Sequence, residues 1–193
     1  MQIYLAGGCF WGVQAYFDLV AGVKHTRVGY ANAKPQYITN LSYEVVCSGL
    51  SGAVEAVEID FDESILPIDS LLARFFSIID PVSVNKQGND IGSQYRSGIY
   101  AQKHTQESPR NNLQAQNDTA KNSKDAQSIL AFAEEFIAHN VAPNFSLPIA
   151  TEVLPMQNFT PAESYHQKYL AKNPNGYCHI DISRALEPIK YLR

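Results

Sequence analysis

Cys9 lies between two glycines and two aromatic residues, in the segment 7–11. The apolar run 2–6 before it predicts a strand, and apolar residues recur at helical spacing over 13–20 after it. Cys9 is therefore expected where a strand passes into the first turn of a helix. The unpaired N–H groups and the positive end of the helix dipole favour an anion there, so we predict a lowered thiol pKa and a nucleophilic sulfur. The alternative is a buried structural cysteine beside two core aromatic residues.

Cys47 and Cys178 are the other two cysteines, and both are distant from Cys9 in the sequence. Three cysteines with long spacings and no Cys-x-x-Cys pair argue against a disulfide framework, a zinc site and a thioredoxin-like motif. In a reducing compartment they are thiols, and a disulfide between two of them would be transient and catalytic. Cys47 sits in an apolar run, which predicts a buried structural residue; the alternative is a backup thiol. Cys178 lies in a tail that contains Pro and Gly, so we expect it to swing freely.

Glu55 is the carboxylate whose position in the sequence points to chemistry. The segment 54–61 alternates like a strand, and its period of two places Glu55 on the same face as Val57, Ile59 and Phe61. A glutamate at one end of an apolar face is either desolvated or lies at the rim of the core. A desolvated carboxyl has a raised pKa and can act as an acid near neutral pH, whereas a carboxyl at the rim stays ionised.

The remaining pattern predicts the elements that must carry these residues. The order strand, helix, strand, strand, helix, strand is the split β-α-β arrangement of a ferredoxin-like α+β two-layer sandwich, with appended helices and an extended C-terminal tail. A capping-box pattern at Thr160 and Glu163 begins the last helix. Two polar stretches stand apart from these elements, a long loop at 82–94, where function is expected, and a surface segment at 104–125 without a motif. Strands are predicted at 2–6, 23–30, 54–61, 95–100 and 148–154, and helices at 13–20, 68–79, 126–139 and 161–171.

The composition narrows the class of protein. A chain of 193 residues with 45% hydrophobic and 18% charged residues fits one soluble domain, with a core at 2–172 and a tail at 173–193. The net charge of −4 and the lack of a basic cluster argue against nucleic acid as a partner. No apolar run has the length of a membrane span, and the N-terminus does not resemble a signal peptide. We therefore expect a cytoplasmic protein, a monomer, with no membrane partner.

Five motifs together carry a resemblance to a known family. They occur in the family's order over most of the chain, and the first and third are specific. On these residues the sequence resembles the A-type peptide methionine sulfoxide reductases. The motifs are Gly8-Cys9-Phe10-Trp11-Gly12, the segment from Tyr43 to Gly49, Gly88-Asn89-Asp90 with Gln94-Tyr95-Arg96-Ser97, Pro161-Ala162-Glu163 with Tyr165-His166-Gln167, and Asn173-Pro174 with Gly176-Tyr177-Cys178.

The resemblance implies roles for the residues that could perform the reaction. Cys9 matches the nucleophile that attacks the sulfoxide sulfur, and Cys178 matches the resolving cysteine. Glu55 matches the family's acid, which the chemistry requires because a sulfoxide oxygen leaves poorly until it is protonated. Tyr43 and Tyr95 match the two phenols that hold the sulfoxide oxygen, and a phenol stays protonated at neutral pH and can donate.

Four further residues are implied to complete the site. Asp90 matches a carboxylate that supports the site through hydrogen bonds. Phe10 and Trp11 match the apolar clasp around the substrate methyl group, and Tyr177 is expected to contact substrate with them. No bound cofactor and no metal are expected.

The implied reaction is the reduction of the S-epimer of methionine sulfoxide, free or in peptides, for the repair of oxidised proteins. Cys9 becomes a sulfenic acid, which condenses with Cys178 to a disulfide. The implied external reductant is thioredoxin, or dithiothreitol in vitro.

Two departures from the family pattern matter. Many relatives have His-Ala-Glu where this chain has Ala53-Val54-Glu55, so we expect a drier approach to the carboxyl and a raised pKa. Some relatives carry a further cysteine near the C-terminus that relays the disulfide outward. Here no cysteine follows Cys178, so the disulfide of Cys9 with Cys178 is expected to meet thioredoxin directly.

Two other classes of function compete with the reductase. One is a Cys-His hydrolase with Cys9 as nucleophile and His166 or His25 as base. It needs no second thiol, and His166 is otherwise expected as a packed or supporting residue. The other is a metal or redox sensor built on Cys9, Cys178 and His179, although adjacent residues rarely bind one metal ion well.

Overall fold

One six-stranded sheet runs through the centre of the protein, and a computed structural model describes residues 1–102 and 126–189. The strands are β1 Gln2–Ala6, β2 Val23–Ala31, β3 Val54–Phe61, β6 Gly98–Ala101, β7 Glu152–Pro155 and β8 Phe159–Pro161, with a separate hairpin of β4 Lys86–Gln87 and β5 Asp90–Ile91. The order in the sheet is β7-β6-β1-β3-β2-β8. Only the β6–β7 pair is parallel among these neighbours. The α+β fold with its split β-α-β core is therefore confirmed.

The central strand β3 determines where Glu55 lies. It pairs with β1 on one side and β2 on the other, so that Glu55 is opposite Tyr30. The predicted alternation is observed, because Val57 and Ile59 belong to the main core, whereas Ala56 belongs to a smaller cluster of buried residues. Both faces of β3 are thus covered, and a carboxyl on the main-core face is held away from water.

Three long helices follow the predicted apolar spacing. They are α1 Phe10–Asp18, α3 Ile68–Phe76 and α4 Ala126–Phe136, the last continuing as a π-helical turn Ile137–Val141. The stripe of Leu71, Leu72, Phe75 and Phe76 is buried along α3, as expected of an amphipathic helix against a sheet. Local periodicity therefore predicted these helices correctly.

A short helix occupies the apolar run that contains Cys47. Residues Tyr43–Cys47 form α2, and the Ser42 side chain caps its N-terminus by accepting from the Val45 N–H. The helix has only five residues, so it is too short for periodicity to reveal it.

The predicted helix at 161–171 is wrong. Residues Phe159–Pro161 form β8 on the edge of β2, and the helix α5 spans only Tyr169–Lys172. Thr160 is paired with Tyr30 rather than capping a helix, and the Gln167 side chain bonds both the N–H and the C=O of Val28 at 3.0 Å and 2.8 Å. Pairing with β2 therefore overrides the local capping signal.

Smaller differences affect the loops and the tail. The 82–94 loop contains the β4–β5 hairpin, β6 begins at Gly98 after a 3₁₀ turn at Ser93–Tyr95, and β7 begins at Glu152. The tail is not loose over its described part, because Ile180 and Ala185 are buried against the core.

The 104–125 segment lies outside the described residues. In the described ranges no helix is long and apolar enough to cross a bilayer.

Candidate active site

Cys9 occupies the predicted junction between β1 and α1. It is the N-cap residue of α1 and is buried. Gly8 before it has φ +83°, and a Cβ there would lie 2.6 Å from the Gln87 side chain, so the turn requires glycine. Burial raises the pKa of the Cys9 thiol, the nearby Glu55 charge raises it further, and only the Trp11 N–H lowers it. The predicted lowering of this pKa is wrong, because desolvation outweighs the helix N-terminus.

Glu55 lies beside Cys9 and is 2% exposed. Its Oε2 accepts a hydrogen bond from the Phe10 N–H at 3.0 Å. Burial raises the pKa of Glu55 to about 8, the Phe10 hydrogen bond opposes this shift, and the charge of Asp90 adds to it. The carboxyl therefore carries its proton at pH 7, as the desolvated alternative predicts, and its charge then no longer raises the pKa of Cys9.

Tyr43 and Tyr95 approach the same point from two different elements. Tyr43 is on α2 and Tyr95 ends the 3₁₀ turn before β6. Burial raises the pKa of both phenols, a hydrogen bond with Cys47 adds to the shift of Tyr43, and the Glu55 charge adds to that of Tyr95. Both side chains are therefore neutral donors at physiological pH.

Cys47 is exposed, so the prediction of a buried structural cysteine is wrong. It follows Tyr43 by four residues on α2, which places both side chains on one helix face. The apolar residue that α2 does bury is Val46.

Glu163 connects three elements around Tyr43, and the sequence pattern suggested only a helix cap for it. Its Oε1 accepts from the Tyr43 N–H at 3.0 Å, and its Oε2 accepts from the Tyr30 hydroxyl at 2.7 Å. Burial acts to raise the pKa of Glu163, but these hydrogen bonds hold it below its ordinary value. Glu163 is therefore an ionised anchor for the start of α2.

His166 packs in an aromatic cluster and does not suit the role of a base. The Trp11 indole N–H donates to its Nδ1 at 3.0 Å, so the proton of the neutral ring is on Nε2. Burial lowers the pKa of His166, which favours this neutral form. Neither nitrogen then offers a lone pair to Cys9. His25 is opposite Asp60 in β2, five residues and about 16 Å from the position opposite Glu55.

Trp11 and Phe10 form the apolar wall next to Cys9. Phe10 is buried at 1% exposure, and its ring meets His166 edge-on. The Trp11 indole stacks on Tyr169 with 3.7 Å between ring centroids and 13° between planes. The indole is thus held by a hydrogen bond to His166 and by stacking on Tyr169.

Arg96 holds the turn that carries Tyr95. Its guanidinium donates to the carbonyls of Ser93 at 2.9 Å and Gly52 at 3.2 Å, and to the Glu152 carboxylate at 3.0 Å. These hydrogen bonds therefore connect the turn before β6 to the residues just before β3 and to β7. The sequence motif contains this arginine, but its spacing does not reveal these long-range partners.

The tail brings Cys178 and Tyr177 to the site. A Cβ on Gly12 would be 3.1 Å from the Cys178 sulfur, and Gly12 is one turn along α1 from Cys9. The Cys178 thiol donates to the Ile180 carbonyl at 3.1 Å. Asp90 lies near both neighbours of Cys178. Burial raises the pKa of the Tyr177 phenol and the Asp90 charge raises it further, and His179 Nδ1 is 3.5 Å from Asp90 Oδ2.

The chain is similar to known proteins of one family. The family model described as peptide methionine sulfoxide reductase matches residues 1–140 and 121–192. The chain belongs to this family. Peptide methionine sulfoxide reductase MsrA of Malacoplasma penetrans is 42% identical, with 94% of this chain and 96% of that protein covered. The MsrA of Mycoplasma genitalium is 44% identical, covering 93% and 97% respectively.

Solved structures of the family share the fold. The reduced form of Mxr1 from Saccharomyces cerevisiae has a TM-score of 0.76 at 31% identity, covering 100% of this chain and 92% of that one. Methionine sulfoxide reductase A of Corynebacterium diphtheriae has a TM-score of 0.74 at 32% identity, covering 92% and 76%. Mxr1 in complex with Trx2 is similar in fold, with a TM-score of 0.52 at 20% identity over 88% and 84%.

This member of the peptide methionine sulfoxide reductase family is therefore an oxidoreductase that acts on methionine sulfoxide. Its candidate residues converge from five parts of the fold, namely the β1–α1 junction, α2, β3, the β4–β5 hairpin with the following turn, and the tail. Residues 1–102 and 126–189 contain no cluster of three or more His, Cys, Asp or Glu side chains placed to hold a metal ion.

Proposed function

We propose that this chain reduces the S-epimer of methionine sulfoxide, free and in peptides, with Cys9 as nucleophile and Glu55 as acid. The observation that carries the proposal is the burial of Glu55 beside Cys9, which raises its pKa to about 8 and leaves a proton available at neutral pH. Acid catalysis of this kind is typically worth about 10²–10⁴ in rate. Repair of oxidised proteins is the physiological role that this reaction serves.

In the first step, the sulfur of Cys9 attacks the sulfoxide sulfur. Glu55 gives its proton to the sulfoxide oxygen, which makes the oxygen a better leaving group. The proton of the Cys9 thiol passes to the Glu55 carboxylate as the sulfur attacks, so that the acid ends the step protonated. The net change moves the oxygen to the Cys9 sulfur as a sulfenic acid and releases methionine. The substrate sulfur gains the two electrons that the Cys9 sulfur loses.

The neighbouring side chains orient the substrate for this step. Tyr43 and Tyr95 are neutral phenols directed by α2 and by the Arg96-bound turn, and they donate to the developing charge on oxygen. Phe10 and Trp11 receive the substrate methyl group against their apolar wall.

Asp90, on the β4–β5 hairpin, and Tyr177, in the tail, are the remaining two residues of the proposed site. Asp90 supports the site through its contact with Tyr177. Tyr177 is 46% exposed, which leaves its ring available to the substrate.

In the second step, the Cys178 sulfur attacks the sulfur of the Cys9 sulfenic acid. The S–S bond forms, the S–O bond breaks, and the oxygen leaves as water with the Cys178 proton. The support for this pairing is the position of the Cys178 sulfur beside Gly12, one turn along α1 from Cys9. Only a local rearrangement of the packed tail is required, and not the motion of a free arm.

A dithiol from outside then reduces the disulfide by thiol–disulfide exchange. We propose thioredoxin for this role, and dithiothreitol replaces it in vitro. The related protein Mxr1 is known in complex with Trx2. No bound cofactor enters these steps.

We also propose that residues 1–193 act as one catalytic domain, as a monomer in the cytoplasm. The support is that the core and the tail each contribute residues to one site. The three cysteines are free thiols, which suits a reducing compartment.

A chiral assay with two cysteine variants tests the proposal. Purified protein is given a racemic methionine sulfoxide peptide with dithiothreitol, and both epimers are followed. We expect loss of the S-epimer only, no loss with Cys9→Ser, and unchanged loss with the matched control Cys47→Ser. With thioredoxin, Cys178→Ser should release one methionine per enzyme and then stop. Consumption of the R-epimer, or activity in Cys9→Ser, would overturn the proposal.

A further inference from the structure

An apolar groove of about 170 Å³ runs along the outer side of α1. Its floor is the helix itself, and its walls are α5 and the tail segment after Cys178. The floor consists of Trp11, Ala15 and Leu19. The walls consist of Tyr169, Leu170 and Ile182. None of these residues except Trp11 is part of the proposed chemistry.

The groove begins at the proposed substrate clasp. Trp11 lines the groove and is two residues from Cys9, while Ala15 and Leu19 follow at intervals of four residues on the same helix face. Eight residues of α-helix extend about 12 Å. Three or four residues of an extended peptide cover that length.

The polar groups along one side of the groove already satisfy one another. The Lys168 ammonium bonds Asp18 at 2.5 Å and the Thr26 hydroxyl at 2.9 Å, and the Lys168 N–H donates to Gln14 Oε1 at 2.7 Å. The side chain of Leu19, in contrast, is 46% exposed. The groove therefore offers apolar surface and no unpaired charge, which suits an apolar occupant.

The chemistry of the substrate identifies this occupant. The family acts on methionine sulfoxide in peptides. The substrate polypeptide must therefore extend from the oxidised residue across the enzyme surface next to Cys9. Methionine is an apolar side chain of cores and apolar interfaces, and its sulfoxide disrupts them. The residues that flank an oxidised methionine are therefore often apolar as well.

We propose that the groove binds apolar side chains of the substrate polypeptide, three or four residues along the chain from the methionine sulfoxide. This inference rests on the proposed function, because it takes Cys9 as the point where the sulfoxide reacts. Binding in the groove makes the enzyme selective for oxidised apolar segments, such as those that a damaged protein core exposes. The minimal substrate, which has no flanking residues, does not use the groove.

Steady-state kinetics with three substrates test the groove. They are N-acetyl-methionine sulfoxide amide, a peptide with leucine three and four residues from the sulfoxide on both sides, and the same peptide with serine there. We expect kcat/KM of the native enzyme to favour the leucine peptide about five- to tenfold, as partial burial of one apolar side chain in an open groove predicts. The variants Leu19→Ser, which removes apolar surface, and Ala15→Gln, which fills the groove, should abolish this preference through KM. Leu147→Ser, at another exposed leucine outside the groove, is the matched control and should retain it.

The other outcomes overturn the inference in distinguishable ways. Equal kcat/KM for the two peptides in the native enzyme would show that the groove does not bind flanking residues. A change only in the KM for thioredoxin in both groove variants would assign the groove to the reductant, and a change in oligomeric state would assign it to a second copy. Inactivity of the native enzyme towards all three substrates would instead mean that the proposed function has failed.

Discussion

Asp90 Oδ2 lies 3.5 Å from His179 Nδ1, and within the described part of the chain both atoms are buried without a hydrogen-bond partner. The other ring nitrogen, Nε2, is 3.2 Å from the Gly7 carbonyl oxygen. A carbonyl only accepts, so Nε2 carries a proton, and the contact with Asp90 is attractive only when a second proton lies between the two groups. With that second proton in place, the residue after Cys178 is held to the hairpin as well as to the turn before Cys9.

His179→Ala should slow the second step and spare the first. The methionine released in a single turnover should appear at the native rate, because His179 has no role in the attack on the sulfoxide. The Cys9 sulfenic acid should persist longer, about tenfold if one hydrogen bond to a charged group is lost. Trapping with dimedone over time measures this lifetime, and His139→Ala at an exposed position is the control. Equal lifetimes in the native and variant enzymes would refute the role.

Glu55→Gln should lower kcat by about 10²–10⁴, because the amide accepts from the Phe10 N–H but supplies no acidic proton. The native kcat/KM should fall tenfold per pH unit above pH 8, where the carboxyl with its pKa of about 8 loses its proton. The variant should lack this limb of the pH profile. A native profile that falls instead near the ordinary glutamate pKa would contradict the buried acid.

The same substitution should change how stability depends on pH. The native protein retains the Glu55 proton up to a pKa of about 8, whereas the unfolded chain releases it near the ordinary value of 4.5. Between these values the folded state binds more protons, so the free energy of unfolding falls with rising pH by about 1.4 kcal/mol per unit relative to Glu55→Gln. Above pH 8 the difference should be constant. Urea denaturation of both proteins from pH 5 to 9 measures it, and parallel curves would exclude the shift.

Glu163→Ala should destabilise the protein and weaken substrate binding together. The substitution leaves the Tyr30 hydroxyl and the Tyr43 N–H without their acceptor, at a cost of about 1–3 kcal/mol for each buried group. We expect a higher KM for methionine sulfoxide because α2 no longer holds Tyr43 in place. Glu163→Gln preserves an acceptor for Tyr43 and should restore most of the KM. If Glu163→Gln restores the stability but not the KM, the result would argue that Glu163 does not position Tyr43.

Cys47 should be the first thiol to react with iodoacetamide in the reduced enzyme. It is exposed, whereas Cys178 is partly buried and Cys9 is buried, and burial also raises the pKa of all three thiols. Peptide mapping after brief labelling should find the label on Cys47, with activity largely retained. Prior labelling of Cys9 would show that its thiol is more accessible and more acidic than the structure indicates.

The sequence by itself determined which elements carry Cys9 and Glu55. A strand that runs into two glycines and an amphipathic helix places Cys9 at a helix N-cap, and an alternating strand places Glu55 on a buried face. Both conclusions depend on periodicities that the backbone imposes locally. The long helices and the split β-α-β order follow from the same signals.

The tertiary structure decided how these residues behave. Burial raises the pKa of Cys9 where the local pattern predicts a lowered value, and exposure of Cys47 depends on which side of α2 meets the core. The strand at Phe159–Pro161 replaces a predicted helix because the edge of β2 lies beside it. Glu163 anchors Tyr43 across 120 positions of sequence. Desolvation and long-range hydrogen bonds depend on neighbours that only the folded chain brings together, so no local pattern encodes them.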